Sequence, residues 1–283
     1  MDRRSAFAGS WYPGTREKLR TTLEELIPSS PEPVPALATL APHAGYIYSG
    51  GVAGAVYGAV RIPERVILLS TNHRGFGEDF AVWPAGTWGT PLGDVAVDSN
   101  LTTAVLKMAP GAVEDTTAHL EEHSGEMQVP FLRHRRPDVR MAVVAVGSHR
   151  RPDLVAFGDG VADLVRSETK AGREILIAAT TDLNHYEDQE TTLRKDRAAI
   201  EPILALDVEG LFAAVAKHRI SMCGLGPTAV MMAAARALGA TGAELIEHKT
   251  SGDVSGDFDR VVGYPAIAVY PRDSRTAGPG VRH

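Results

Sequence analysis

Histidine or aspartate follows four of the short apolar segments in this sequence that resemble β-strands. These residues are His43, His73, His149, Asp182 and His185. Because the carboxyl ends of parallel strands share one edge of a sheet, we expect side chains from distant segments to meet there. Converging imidazoles suit a transition metal such as iron, copper or zinc. Any one histidine has an ordinary alternative role, in which it bonds a loop carbonyl. For His43 and His73 together, each close to a glycine, the sequence favours metal binding.

Asp182 and His185 lie on one turn and offer a carboxylate and an imidazole together. Such a pair serves as a base and its orienting group, or supports a metal ligand. The alternative is a turn whose aspartate caps the following helix. His149 stands beside a predicted helix start, and we expect it to be structural or peripheral.

Cys223 is the single cysteine of the chain and precedes a predicted helix at 227–238. The positive end of a helix dipole lowers the pKa of a nearby thiol, which predicts a thiolate that binds a metal or acts as a nucleophile. The alternative is an inert, packed cysteine. His123 lies at the start of another predicted helix, with Glu122 and Ser124 as capping residues. It is either a side chain at that helix terminus or a residue that lines a pocket.

The elements that must position these residues alternate along the chain. Strands are predicted at 36–41, 66–70, 141–146, 175–179 and 266–270. Helices are predicted at 51–60, 100–108, 122–133, 152–165, 191–204, 208–216 and 227–238. Segment 83–97 is rich in Gly, Pro and Thr, which predicts a hairpin or long loop at an antiparallel edge. The alternation predicts one α/β domain over 1–270, a three-layer α/β/α structure with a mainly parallel central sheet, followed by a flexible tail over 271–283.

Composition narrows the classes of function. The chain has 283 residues with 29 basic and 35 acidic side chains, a formal charge of −6, and no sustained basic stripe, which argues against nucleic acid as a partner. No apolar run reaches the ~18 residues needed to span a bilayer, and no signal peptide is visible, so we expect no membrane partner. A lone cysteine forms no intrachain disulfide. We therefore expect a cytoplasmic protein.

A series of motifs along the chain resembles that of the Memo family, called AmmeMemoRadiSam system protein B in bacteria and archaea. In chain order they are Ala8-Gly9-Ser10-Trp11-Tyr12, Pro42-His43-Ala44-Gly45-Tyr46, Asn72-His73, Glu122-His123-Ser124, Asp182-Leu183-Asn184-His185 and Met222-Cys223-Gly224. The resemblance runs from about Arg4 to Tyr270. It implies a fold similar to that of the class III, LigB-type extradiol dioxygenases, which carry non-haem iron on an α/β sheet.

The resemblance also implies roles for individual residues. It suggests His43, His73 and Cys223 as ligands of Fe(II) or copper. Asp182 and His185 are implied as the catalytic pair, with His185 at the position of the dioxygenase base. A cysteine here replaces the carboxylate ligand of the dioxygenases, so ring cleavage does not follow from the fold alone. His123, Tyr46 and Arg74 are expected in the surrounding pocket.

Three classes of function remain open. The first is a redox-active metalloprotein with a dioxygenase-like role on an unknown small molecule. The second is a binding module that holds a peptide or a partner's side chain in the same pocket, because eukaryotic relatives bind phosphotyrosine peptides; Arg74 and Arg150 are the cations a phosphate would use. The third is a metal-free enzyme with Cys223 as nucleophile. The oligomeric state is not predicted.

Overall fold

Short strands and longer helices alternate through the protein. The computed structural model describes residues 1–29 and 32–272, so the predicted tail lies outside the described residues from 273 onward. In the described part the strands are β1 (Asp2–Arg3), β2 (Val34–Pro35), β3 (Ala38–Ala41), β4 (Val60–Arg61), β5 (Arg65–Thr71), β6 (Phe80–Val82), β7 (Thr87–Trp88), β8 (Val95–Val97), β9 (Val113–Glu114), β10 (Arg140–Val146), β11 (Ile175–Thr180), β12 (His185–Glu187), β13 (Glu244–Thr250) and β14 (Val261–Val269). The helices are α1 (Arg16–Leu26), α2 (Tyr46–Ala59), α3 (Ser99–Met108), α4 (Thr117–Leu120), α5 (Val129–Arg135), α6 (Arg151–Lys170), α7 (Gln189–Leu204), α8 (Val208–His218), α9 (Leu225–Ala237) and α10 (Gly252–Ser255).

Parallel strands form the centre of the main sheet, which confirms the predicted sheet. Strands β8, β10, β5, β11 and β3 lie side by side in this order, and each neighbouring pair is parallel. Every residue of β5 and β11 is buried, as expected for strands covered on both faces. The carboxyl ends of β5, β11 and β3 are therefore neighbours at one edge of the sheet.

Antiparallel pairs flank the parallel centre of the sheet, and the short strand β1 pairs parallel with β7 at one outer edge. Strand β14 pairs antiparallel with β3, and both β13 and β12 pair antiparallel with β14. On the other side, β7 and β8 form an antiparallel pair within the segment 83–97, where a hairpin or edge was expected. None of the helices in residues 1–29 and 32–272 combines the length and the apolar character needed to cross a bilayer.

Two separate apolar clusters cover the two faces of the sheet. Alternate residues of β5 divide between them: Ile67 and Leu69 belong to one cluster, and Val66 and Leu68 belong to the other. Helices α3, α6, α7, α8 and α9 contribute to the first cluster, and α1, α2 and α5 contribute to the second. The structure is thus the predicted three-layer α/β/α arrangement.

Close packing of α6 against α9 depends on one glycine. A Cβ atom at Gly158 in α6 would lie 2.7 Å from the Cβ of Ala233 in α9 and 2.7 Å from the carbonyl oxygen of Val230. The two helix backbones therefore approach each other more closely than any side chain at residue 158 would permit. The contact holds α9 close to α6. The first turn of α9 begins at Leu225, two residues after Cys223.

The predicted helix at 122–133 is wrong in its first half. Helix α5 begins only at Val129, and the residues before it form turns. The carboxylate of Glu122 accepts hydrogen bonds from the main-chain N–H of Ser124 and of His73, and these bonds favour a turn over a helix. Pro130 then lies in the first turn of α5, where proline is tolerated. The other predicted elements are present, with ends that move by a few residues.

Candidate functional site

His43, His73 and Cys223 come together at the carboxyl edge of the parallel sheet. His43 follows β3, His73 follows β5, and Cys223 lies in the loop that leads into α9. One ligand atom from each of the three lies within 4.8 Å of the others. The rings of His43 and His73 have centroids 5.0 Å apart, and Nε2 of His43 is 3.1 Å from Sγ of Cys223. The arrangement fits a two-imidazole, one-thiolate metal site.

The second nitrogen of each imidazole ligand is already bonded within the protein. Nδ1 of His43 lies 2.7 Å from Oγ1 of Thr180, at the end of β11. Nδ1 of His73 lies 2.8 Å from Oε1 of Glu122. Contacts of this kind orient metal-binding histidines and select the nitrogen that remains for the metal. Burial, followed by the charge of His73, lowers the pKa of His43 well below 6.5, which favours the neutral, ligating form.

Gly224 lets the loop with Cys223 approach the sheet. A Cβ atom at residue 224 would lie 2.4 Å from the carbonyl oxygen of Thr180 and 2.5 Å from Cβ of Thr181. The main-chain N–H of Gly224 instead donates to Oγ1 of Thr181 at 3.0 Å. The close approach places Sγ of Cys223 where it accepts from the main-chain N–H of Asp182 at 3.3 Å.

The predicted thiolate character of Cys223 is wrong for the metal-free protein. Burial, followed by the negative charge of Asp182, raises the pKa of the Cys223 thiol well above its usual value. These two effects outweigh the dipole of α9, whose first turn follows directly. Without a metal the residue is therefore a thiol, which disfavours it as an unassisted nucleophile.

Asp182 and His185 line one cavity together with His43, His73 and Cys223. Oδ1 of Asp182 accepts from the main-chain N–H of His43 at 2.9 Å, and its Oδ2 is 3.9 Å from Nε2 of the same histidine. Burial raises the pKa of the Asp182 carboxyl. The main-chain N–H of His185 donates to Oγ of Ser221, and its buried Nδ1 has no hydrogen-bond partner among the described residues.

His123 is stacked in the wall of the site. Its ring lies 4.5 Å from the ring of His73, nearly parallel to it, and 4.4 Å from the ring of Trp11. Burial and the charge of His43 lower the pKa of His123 to about 3, so the imidazole is neutral. Trp11 is a site residue that the chemical reasoning from sequence missed; its only signal was the motif near the chain start.

Glu122 is the second missed residue, since the sequence predicted only a helix cap there. Its side chain is 2% exposed and contacts both His73 and His123. Burial alone would raise the pKa of this carboxyl, but the hydrogen bond and charge of His73, with His123 and the N–H of Ser124, lower it to about 2. With His73 and His123 it forms a second group whose ligand atoms lie close together.

Two predicted pocket residues and one peripheral histidine lie away from the cavity. Tyr46 is buried in the core, where its hydroxyl donates to the carbonyl oxygen of Met127 at 2.8 Å. Arg74 is exposed and is not among the residues that line the cavity. His149 is also exposed and outside the cavity lining, as its peripheral role predicted.

The cavity itself has a volume of about 730 Å³ and opens to solvent. Four imidazoles, Asp182 and Cys223 line it together with side chains that are mainly aromatic or apolar. The wall residues include Trp11, Ile47, Tyr48, Tyr186, Val262 and Tyr264. No lysine or arginine is among the lining residues in the described part of the chain. The cavity suits a small ligand with an apolar or flat body better than a phosphate.

Comparisons with known proteins show the family of this chain. The model of the family of Memo-like proteins matches residues 3–268. The chain is 39% identical over 286 residues to a MEMO1 family protein of Desulfurococcus amylolyticus, which covers 95% of this chain and 100% of the relative. It is 40% identical over 281 residues to one from Methanopyrus kandleri, covering 94% and 98% of the two chains.

Among solved structures, an uncharacterized protein from Escherichia coli K12 superposes with a TM-score of 0.50. The match covers 81% of this chain and 98% of that one at 14% sequence identity, so it supports the fold alone. The match to the family model spans residues 3–268, and the two relatives cover 95% and 94% of the chain. The chain belongs to the Memo family.

Proposed function

We propose that this protein holds Fe(II) or a copper ion through His43, His73 and Cys223 and carries out redox chemistry on a small molecule in the cavity. One observation carries the proposal: two imidazoles and a thiol from three distant segments place their ligand atoms within 4.8 Å of one another. A set of two nitrogens and one sulfur is softer than a carboxylate site and suits Cu(I) as well as Fe(II). When bound, either metal supplies electron transfer beside the ligand.

The protein's own residues have separate tasks in this proposal. The metal-free thiol of Cys223 has a raised pKa, so metal binding displaces its proton, and metal affinity rises with pH. Asp182 holds the backbone of His43 in place. His185, whose side chain lines the cavity, takes or gives the proton of a bound ligand. The aromatic walls bind the apolar body of the ligand and exclude water.

A binding module is the second candidate. Ile47, Tyr48 and Tyr186 line the cavity and remain 74%, 43% and 64% exposed, which favours contact with an apolar peptide side chain. The lack of arginine and lysine in the lining disfavours a phosphorylated one. We also propose a cytoplasmic location, where the lone thiol of Cys223 stays reduced.

Metal content tests the proposal directly. The protein is purified without oxygen, and iron and copper are measured per chain for the wild type and for His43→Ala, His73→Ala and Cys223→Ala. His149→Ala is the matched control, because His149 also follows a parallel strand but is exposed outside the cavity. We expect about one metal ion per chain in the wild type and the control, and loss of the ion in each folded site variant.

If the wild-type protein contains neither metal and takes up neither Fe(II) nor Cu(I), the proposed metal site is wrong. Peptide binding that persists in the His73→Ala variant and needs no metal would then favour the binding module.

A further inference from the structure

Both carboxylate oxygens of Glu122 are occupied by main-chain N–H groups. Oε2 accepts from the N–H of His73 at 2.8 Å, and Oε1 accepts from the N–H of Ser124 at 2.8 Å. A main-chain N–H only donates, so each oxygen acts as an acceptor. Two such donors on one buried carboxyl group favour its ionised form, because charge-assisted hydrogen bonds to a carboxylate are the stronger ones.

The same two bonds determine which nitrogen of His73 carries the proton. Nδ1 of His73 lies 2.8 Å from Oε1 of Glu122. An ionised carboxylate only accepts, so in the neutral ring Nδ1 carries the proton and donates to Oε1, while Nε2 keeps its lone pair. We propose that Glu122 is a positioning residue that fixes His73 in the Nδ1–H tautomer and so commits Nε2 to the metal. This inference rests on the metal site of the proposed function.

The other imidazole ligand lacks such a lock. Nδ1 of His43 faces the hydroxyl of Thr180, which both donates and accepts hydrogen bonds. The hydroxyl of Thr180 therefore does not determine the tautomer of His43, whereas the carboxylate of Glu122 determines that of His73. We expect Thr180→Val to affect metal binding less than a change at Glu122.

A buried arginine holds the turn that carries Glu122. Arg3 is 2% exposed; its Nη2 donates to the carbonyl oxygen of Glu122 at 2.8 Å, and its Nε donates to that of His119 at 2.8 Å. Nη1 of Arg3 bonds Oε2 of Glu126 at 2.6 Å. The main chain at residue 122 is thus fixed independently of its own side chain, so a substitution of the carboxylate perturbs His73 first.

Glu122→Gln is the informative substitution because it changes charge with little change of shape. In either orientation, the amide NH₂ faces a main-chain N–H, that of His73 or that of Ser124, and two donors oppose each other. We expect the His73 ring to populate both tautomers and the affinity for metal to fall by about 10- to 100-fold, the usual effect of losing such a partner. Glu121→Gln is the matched control, since Glu121 is the exposed neighbour.

Two measurements test the inference. The tautomer of His73 is determined from the ¹⁵N spectrum of the metal-free, histidine-labelled protein, with the signal assigned from the His73→Gln variant. Affinities for Cu(I) and Fe(II) are measured without oxygen by competition with a chromogenic chelator for the wild type, Glu122→Gln, Glu121→Gln and Thr180→Val.

An Nδ1–H signal in the wild type, with a mixed signal and about tenfold or weaker binding in Glu122→Gln, supports the positioning role. An Nε2–H signal in the wild type, or wild-type affinity in Glu122→Gln, overturns it. The wild-type spectrum does not depend on Glu122→Gln, so if that variant fails to fold, the tautomer of His73 in the wild type still tests the inference. If the wild type binds neither metal, the proposed function fails, while the spectrum judges Glu122 separately.

Discussion

Buried His119 makes the stability of this protein depend on pH in a predictable way. Its side chain is fully buried, Nε2 donates to the carbonyl oxygen of Ala81 at 3.0 Å, and the ring lies between Trp83 and Trp88 at 5.7 and 5.8 Å. Burial lowers the pKa of His119 from 6.5 to about 4. The folded protein therefore keeps this imidazole neutral in mild acid, where the unfolded chain protonates it.

The sign and size of the effect follow from that difference. Between pH 6.5 and about 4 the unfolded state binds a proton on His119 that the folded state does not bind. The free energy of unfolding therefore falls as the pH drops through this window and is constant, for this group, above it. A pKa lowered from 6.5 to about 4 corresponds to a loss of about 3 kcal/mol.

The assay is urea unfolding of the metal-free protein at about pH 7 and about pH 4. His119→Gln removes the titrating group and keeps a donor for the carbonyl oxygen of Ala81, and His149→Gln is the exposed control. We expect the drop in unfolding free energy between the two pH values to be about 3 kcal/mol smaller in His119→Gln than in the control. An equal drop in both proteins would refute the reasoning, whatever the variant's stability at neutral pH.

Three further predictions concern the thiol, its glycine and the buried arginine. Iodoacetamide should modify Cys223 slowly in the metal-free protein at neutral pH and faster as the pH rises; rapid neutral modification would contradict the raised thiol pKa. Gly224→Ala should abolish metal uptake because its Cβ would lie 2.4 Å from a β11 carbonyl, whereas Gly51→Ala, with no atom within 4 Å, should bind metal normally. Arg3→Met should lower the free energy of unfolding by about 3–5 kcal/mol in urea, because it leaves the buried carboxylate of Glu126 without its ion-pair partner. A decrease no larger than that caused by the exposed substitution Arg4→Met would argue against this.

The parallel centre and the positions of His43, His73 and Asp182 were predictable from sequence for a simple reason. Fully buried strands are continuous apolar runs, and the residues that follow them must lie at one edge of the sheet. This reasoning alone places His43, His73 and Asp182 together. The same reasoning does not place Cys223 there: its position before a helix predicted a thiolate or an inert cysteine, and only the resemblance to the Memo family implied it as the third ligand.

The residues that were missed or misjudged depend on contacts across long stretches of chain. Glu122 bonds a histidine 49 residues away, and Arg3 bonds a carboxylate 123 residues away, and neither distance leaves a local pattern. The predicted direction of the Cys223 pKa shift was wrong because the sequence shows the helix start, whereas burial and the charge of Asp182 appear only in the folded structure. Tyr46 shares a motif with His43 but points into the core.

The distance along the chain between the proposed ligands has a consequence during synthesis. His43 and Cys223 are 180 residues apart, and the described sequence offers no pair of adjacent cysteine ligands that would hold a metal in an unfolded chain. The ribosome must synthesise and release Cys223 before the three ligands can come together. We therefore expect the metal to bind after folding rather than to guide folding. Since only the native state then binds, added metal should protect the protein from unfolding by the full mass-action amount.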